Sequence, residues 1–107
     1  MRIPNNIDPE CIELCNAMND FGLKTTGSCC GHKKLPFWIA FESKPDIRFQ
    51  KFIYTACING LYWECYPTDF NNNKYPLKNW AIKTKLVGIP AYTLAHNLSE
   101  EIKKINN

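Results

Sequence analysis

At 107 residues the chain has the length of one domain with its own core, and a hydrophobic fraction of 45% with 13% aromatics excludes a disordered polypeptide. Thirteen Lys and Arg against ten Asp and Glu leave a formal charge of +3, which favours an anionic partner only weakly. Nothing approaches membrane-spanning length, and Met1 to Asn6 holds no apolar run of export type, so a reducing cytoplasm is expected and no membrane partner.

The first element is the best signalled. Asp8 offers an N-cap oxygen, Pro9 occupies the first helical position, and Gly22 supplies the stop. Ile7 and Ile12 have the spacing of a hydrophobic staple, and Cys11, Leu14, Cys15 and Met18 form one apolar stripe. A helix over Pro9 to Phe21 follows. Leu23 to Ser28 is short, β-branched and bounded by glycines, which predicts a strand, and Phe37 to Phe41 predicts a second one after Pro36. The short connector favours an antiparallel pair.

Phe49, Phe52, Ile53, Ala56 and Cys57 repeat at helical spacing until Gly60. Leu61 to Tyr66 alternates, with Leu61, Trp63 and Cys65 on one face and Tyr62, Glu64 and Tyr66 on the other. Trp80 to Leu86 alternates likewise, with Trp80, Ile82, Thr84 and Leu86 opposite Ala81, Lys83 and Lys85. Pro67 to Asn79, with three successive asparagines, reads as a long exposed loop. Ala91, Leu94, Ala95, Leu98, Ile102 and Ile105 carry a last helical stripe, whose start falls at Pro90 or at Ser99. The whole is a single α+β domain over residues 1–107, in the order α-β-β-α-β-β-α, with a mostly antiparallel sheet and its helices on one face.

Chemistry is concentrated in Thr25-Thr26-Gly27-Ser28-Cys29-Cys30-Gly31-His32-Lys33-Lys34, at the tip of the first hairpin. Thr26 and Ser28 bring hydroxyls, Cys29 to Gly31 main-chain donors, and His32 and Lys33 a positive end suited to an anion or a polar ring. Tyr62, Tyr66 and Lys83 on the outer sheet face add a stacking surface. The cysteines read as thiols, since Cys29, Cys30 and His32 have no Cys-x-x-Cys spacing to make a metal set. Cys11, Cys15, Cys57 and Cys65 read as buried core thiols. A Cys–His nucleophile lacks an orienting third group, so no catalytic residue is assigned.

This string resembles the Ser-Cys-x-Gly-His signature of small uncharacterised phage and bacterial proteins. More distantly it is similar to the Thr-Thr-Ser-Ser-Cys-Ser-Gly-Arg segment of the tRNA wybutosine-synthesis methyltransferase family, with His32 where that family has Arg. The expectation is a small non-catalytic binding protein of phage type that sequesters a nucleotide-derived or other anionic small molecule at Ser28 to His32, with no cofactor and no metal. A nucleic acid is the weaker choice of partner, and homo-oligomers suit the exposed aromatics as well as a monomer does. The alternatives are an RNA- or nucleotide-modifying enzyme, which the methyltransferase resemblance implies, and an inhibitor that blocks a host enzyme by protein–protein contact.

Overall fold

The computed structural model describes residues 8–58, 62–68 and 78–105. Helix α1 spans Pro9–Phe21 and buries Cys11, Leu14, Cys15 and Met18 on the expected stripe. Gly22 adopts φ 108, its N–H donates to the carbonyls of Met18 and Asn19, and the Leu23 N–H returns to Met18. This left-handed closure caps orphan carbonyls and turns the chain toward the sheet. Ile7, half of the expected staple, lies outside the described residues.

The sheet contains β1 (Lys24–Cys29), β2 (Trp38–Glu42), β3 (Glu64–Pro67) and β4 (Asn79–Lys83), in the spatial order β1-β2-β4-β3 with every pairing antiparallel. Helix α2 (Ile47–Ile53) starts at Asp46, whose carboxylate accepts the Phe49 N–H at 3.0 Å, and continues as a wider turn over Tyr54–Ile58. Helix α3 runs unbroken over Ile89–Lys104. Its Ser99, an alternative start in the sequence, is fully buried and donates its hydroxyl to the Ala95 carbonyl at 2.9 Å. The order is α-β-β-α-β-β-α, a single α+β domain in which α1 and α3 pack together.

Period-two alternation decides the faces of the sheet. Ile39, Phe41 and Ile82 point into one core with Leu14, Met18, Phe52, Leu98 and Ile102. Phe41 meets Phe52 edge-on at 5.3 Å, and Phe49 lies 4.6 Å from Trp80, so α2 is seated on the same side. Trp38, Ala40 and Glu42 look outward.

Several expectations shift. Strand β4 ends at Lys83, so Leu86 is 41% exposed instead of continuing the inward row, and its N–H donates to the Thr84 hydroxyl. Strand β3 begins at Glu64, with Trp63 buried ahead of it. Cys57 and Cys65 are only half-buried, at the edge of the core, whereas Cys11 and Cys15 are sealed within it. Gly60, Leu61 and most of the Pro67 to Asn79 stretch lie outside the described residues. No helix among the described residues is long and apolar enough to cross a membrane.

One polar clamp ties α1 to the edge strand. Asn19, 7% exposed, accepts the Thr25 N–H at 2.9 Å and donates to the Thr25 hydroxyl at 3.0 Å. Beside it the β1–β2 register shifts between Thr25 and Gly27, so Thr26 bulges outward. Asn19→Ala leaves a strand N–H without its acceptor and is expected to lower unfolding stability by about 2 kcal/mol. Phe41→Ala opens a core cavity, with an expected loss of about 3–5 kcal/mol. Urea denaturation reads both, and an Asn19→Ala loss below about 0.5 kcal/mol would count against the clamp.

Candidate functional site

The loop after β1 is built from three consecutive left-handed residues, with φ of 78 at Gly31, 52 at His32 and 67 at Lys33. Glycine adopts this conformation freely, whereas His32 and Lys33 each carry a steric cost of about 1–2 kcal/mol. The turn is held by hydrogen bonds at every step. The Lys34 and Leu35 N–H groups both donate to the Gly31 carbonyl at 2.9 Å. The Cys30 N–H donates to Asp8 Oδ2 at 3.0 Å, the Gly31 N–H to Cys29 Sγ at 3.3 Å, and the His32 N–H to Cys30 Sγ at 3.4 Å. Of the main-chain donors expected over Cys29 to Gly31, those of Cys30 and Gly31 are therefore occupied, by a carboxylate and a sulfur.

Asp8 stands at the N-terminal position of α1 as expected, but its carboxylate makes no cap bond within the helix. Pro9 lacks an N–H, and the Cys11 N–H donates to the Asp8 main-chain carbonyl, so the carboxylate is free to turn toward Cys30. The Cys30 N–H holds this carboxyl below the ordinary carboxylate pKa of 3.8.

Cross-strand pairs share a face, which sorts the remaining candidates. Cys29 pairs with Trp38, Trp38 with Lys83, and Lys83 with Glu64, forming one outward row at the loop end of the sheet. Gly27, Ala40, Ala81 and Tyr66 form the next row, with the Lys83 ammonium 5.8 Å from the Tyr66 ring centre. Thus Cys29, Tyr66 and Lys83 are brought together, and Trp38, 36% exposed, joins them. Phe37, Ile39 and Phe41 alternate inward, which turns Trp38 outward. Thr26 lies farther along β1 on its bulge.

Ser28 pairs with Ile39 and so faces inward, toward the thiols of Cys11 and Cys15, where its hydroxyl partly offsets the effect of burial on them. It is separated from the outward row. Tyr62, 75% exposed with φ 63, borders a cavity of about 430 Å³ with Trp63, Thr84 and Leu86 beyond the far edge of that row. His96, the second histidine, is exposed on α3 and pairs with Glu13 of α1 at 2.9 Å.

The thiols differ in character. Burial pushes Cys11 up to about 12 and raises Cys15 and Cys30 as well, so these sulfurs stay protonated near neutral pH. Cys30 Sγ lies 3.7 Å from His32 Nδ1, and burial and that thiol also raise the Tyr92 phenol above its ordinary value. Cys29 is half-buried, at the rim.

Asp8, Cys29 and His32 together present one ligand atom each, all within 4.8 Å of one another, as the single such group of three among the described residues. Asp8 is the member that sequence reasoning missed. Its helix-start role accounted for it fully, and nothing in its local pattern points to a loop reached only after two further elements. Comparison with protein-family models, with curated proteins and with solved structures finds no match for the chain.

The Asp8–Cys30 bond has a pH signature. Because the folded pKa is lowered, the contribution of Asp8 is fully present above the unfolded pKa and is lost as pH falls through the folded value, below about pH 4. Asp8→Ala is expected to cost about 1 kcal/mol at pH 7, with the difference from wild type shrinking toward pH 2. Denaturation curves across that range check it; a pH-independent difference would refute the linkage. In the turn itself, Gly31→Ala brings a methyl to 3.1 Å from the Pro36 carbonyl at φ 78 and is expected to cost about 1–2 kcal/mol, whereas Lys33→Gly is neutral or stabilising. The same urea titration compares the pair, and equal losses would refute the strain.

Proposed function

We propose that this is a small non-catalytic binding protein that holds a nucleotide-derived or other anionic small molecule where the His32 loop meets the outer sheet face. The observation that supports it is the row Cys29, Trp38, Lys83, whose Cys29 end adjoins His32. An exposed indole offers a stacking plane, and the Lys83 ammonium in the same row suits a ring bearing phosphates. The indole lies over Gly27, where a Cβ would stand 3.6 Å from its ring, so the small residue seats the stacking plane against β1.

Burial raises the Cys30 thiol, which disfavours thiolate attack by that sulfur. Sequestration of a host signalling nucleotide in the cytoplasm, as an anti-defence protein of phage type would perform it, is the concrete form of this reading. A second copy of the chain is a further partner that the exposed aromatics of this face suit, and nucleic acid is the weaker choice of ligand.

Titration calorimetry against linear and cyclic nucleotides tests the proposal. One member is expected to bind saturably, with Trp38→Ala and His32→Ala each weakening it by about ten-fold or more, the worth of one stacking or charged contact. No heat with any member, or affinity untouched by both substitutions, would overturn it.

A further inference from the structure

We propose that Asp8, Cys29 and His32 form a zinc site with one coordination position left open. Three side chains from two distant parts of the chain, the start of α1 and the turn after β1, bring a carboxylate oxygen, a sulfur and an imidazole nitrogen within 4.8 Å of one another. Tetrahedral zinc holds such donors at about 2.0–2.3 Å, which sets them about 3.3–3.8 Å apart. Closing from the present separation takes about 1 Å of side-chain rotation, and His32 is exposed enough to supply it.

The donor set selects the metal. A thiolate with an imidazole suits zinc, whereas magnesium and calcium demand oxygen shells that this loop does not offer. Bound Asp and Cys carry two negative charges, which neutralise the ion. Cys29 enters as thiolate, its proton passing to solvent as the sulfur–zinc bond forms, so there is no net redox change.

Two outer contacts fit the role. The Gly31 N–H already donates to Cys29 Sγ at 3.3 Å, which stabilises charge on that sulfur. The Cys30 N–H holds Asp8 Oδ2 at 3.0 Å, which fixes the carboxylate while its other oxygen stays available. With three protein donors, the fourth position would take water or a ligand oxygen, as in open zinc sites. The metal requires no nucleotide, so this inference stands whether or not the proposed ligand binds.

The test uses the full chain, reduced and stripped with chelator, titrated with zinc by calorimetry and with cobalt by visible absorption. The expected result is one ion per chain, a tetrahedral cobalt spectrum with a thiolate charge-transfer band, and a zinc-dependent rise in melting temperature. Asp8→Asn and His32→Asn, both at the surface and the second tolerant of positive φ, are each expected to weaken binding at least ten-fold. Cys29→Ser is expected to abolish the charge-transfer band, and Cys57→Ser to leave it unchanged. Absence of binding at micromolar zinc would overturn the proposal, as would binding indifferent to Asp8→Asn and His32→Asn. Loss on Cys30→Ser with retention on Cys29→Ser would equally refute this ligand set.

Discussion

The contact on which the loop depends is the hydrogen bond from the Cys30 N–H to the Asp8 carboxylate. It joins the beginning of α1 to the end of β1 across 22 positions of sequence and brings the one carboxylate of the site to the two thiols and the imidazole. A charged acceptor on a main-chain donor is about twice as strong as a neutral pair, and here it also satisfies an amide that has just left the edge strand. The other end of α1 is held by Asn19 on Thr25, so helix and edge strand are fastened at both ends by polar groups, with the apolar stripe between them. That double fastening is what gives an edge strand a fixed path. The loop that follows inherits its position from it.

Much of the architecture was legible because the local signals agree with one another. Pro9 and Gly22 mark both ends of α1, and the periodicity between them matches the buried residues, so propensity, capping and packing point to one answer. The strands were legible in number and, for β1 and β2, in pairing, but drift by a residue or more at their ends, where alternation in sequence continues past the last ladder bond. Leu86 is the clearest case: it stays in phase with Ile82 on paper, yet its N–H turns to Thr84 and its side chain to solvent.

The site was legible in part. Its loop stands out by composition alone, and Cys29, His32 and Lys33 follow from it. The roles of the neighbours depend on facts that no local pattern carries. Whether Ser28 or Cys29 looks outward is fixed by register against β2, in which a one-residue slip reverses the assignment, and the bulge at Thr26 supplies just such a shift. Asp8 was hidden because a helix-start residue already has a sufficient local explanation, and its actual partner is set by tertiary approach.

The distribution of backbone strain argues for where function resides. The fold has polar surface at both ends of the sheet. The far end holds a cavity of about 330 Å³ where Lys24, Lys44 and Arg48 stand with Glu42 and Asp46, all exposed. Among the described residues the non-glycine positions with positive φ are His32, Lys33 and Tyr62, and all three flank the near end, at the start of β2 and β3. Conformations of this kind cost about 1–3 kcal/mol each and persist where the surrounding structure enforces them. A turn whose only task was to reverse the chain between β1 and β2 would relax by placing glycine or asparagine at those positions. This chain instead keeps an imidazole and an ammonium group there, locked by bonds to Cys30 and Gly31 and packed near Gly88 at the foot of α3. The cost is borne at the positions whose side chains carry charge and metal-ligating nitrogen, which is the arrangement expected when the side chains, more than the turn, are what the loop exists to present.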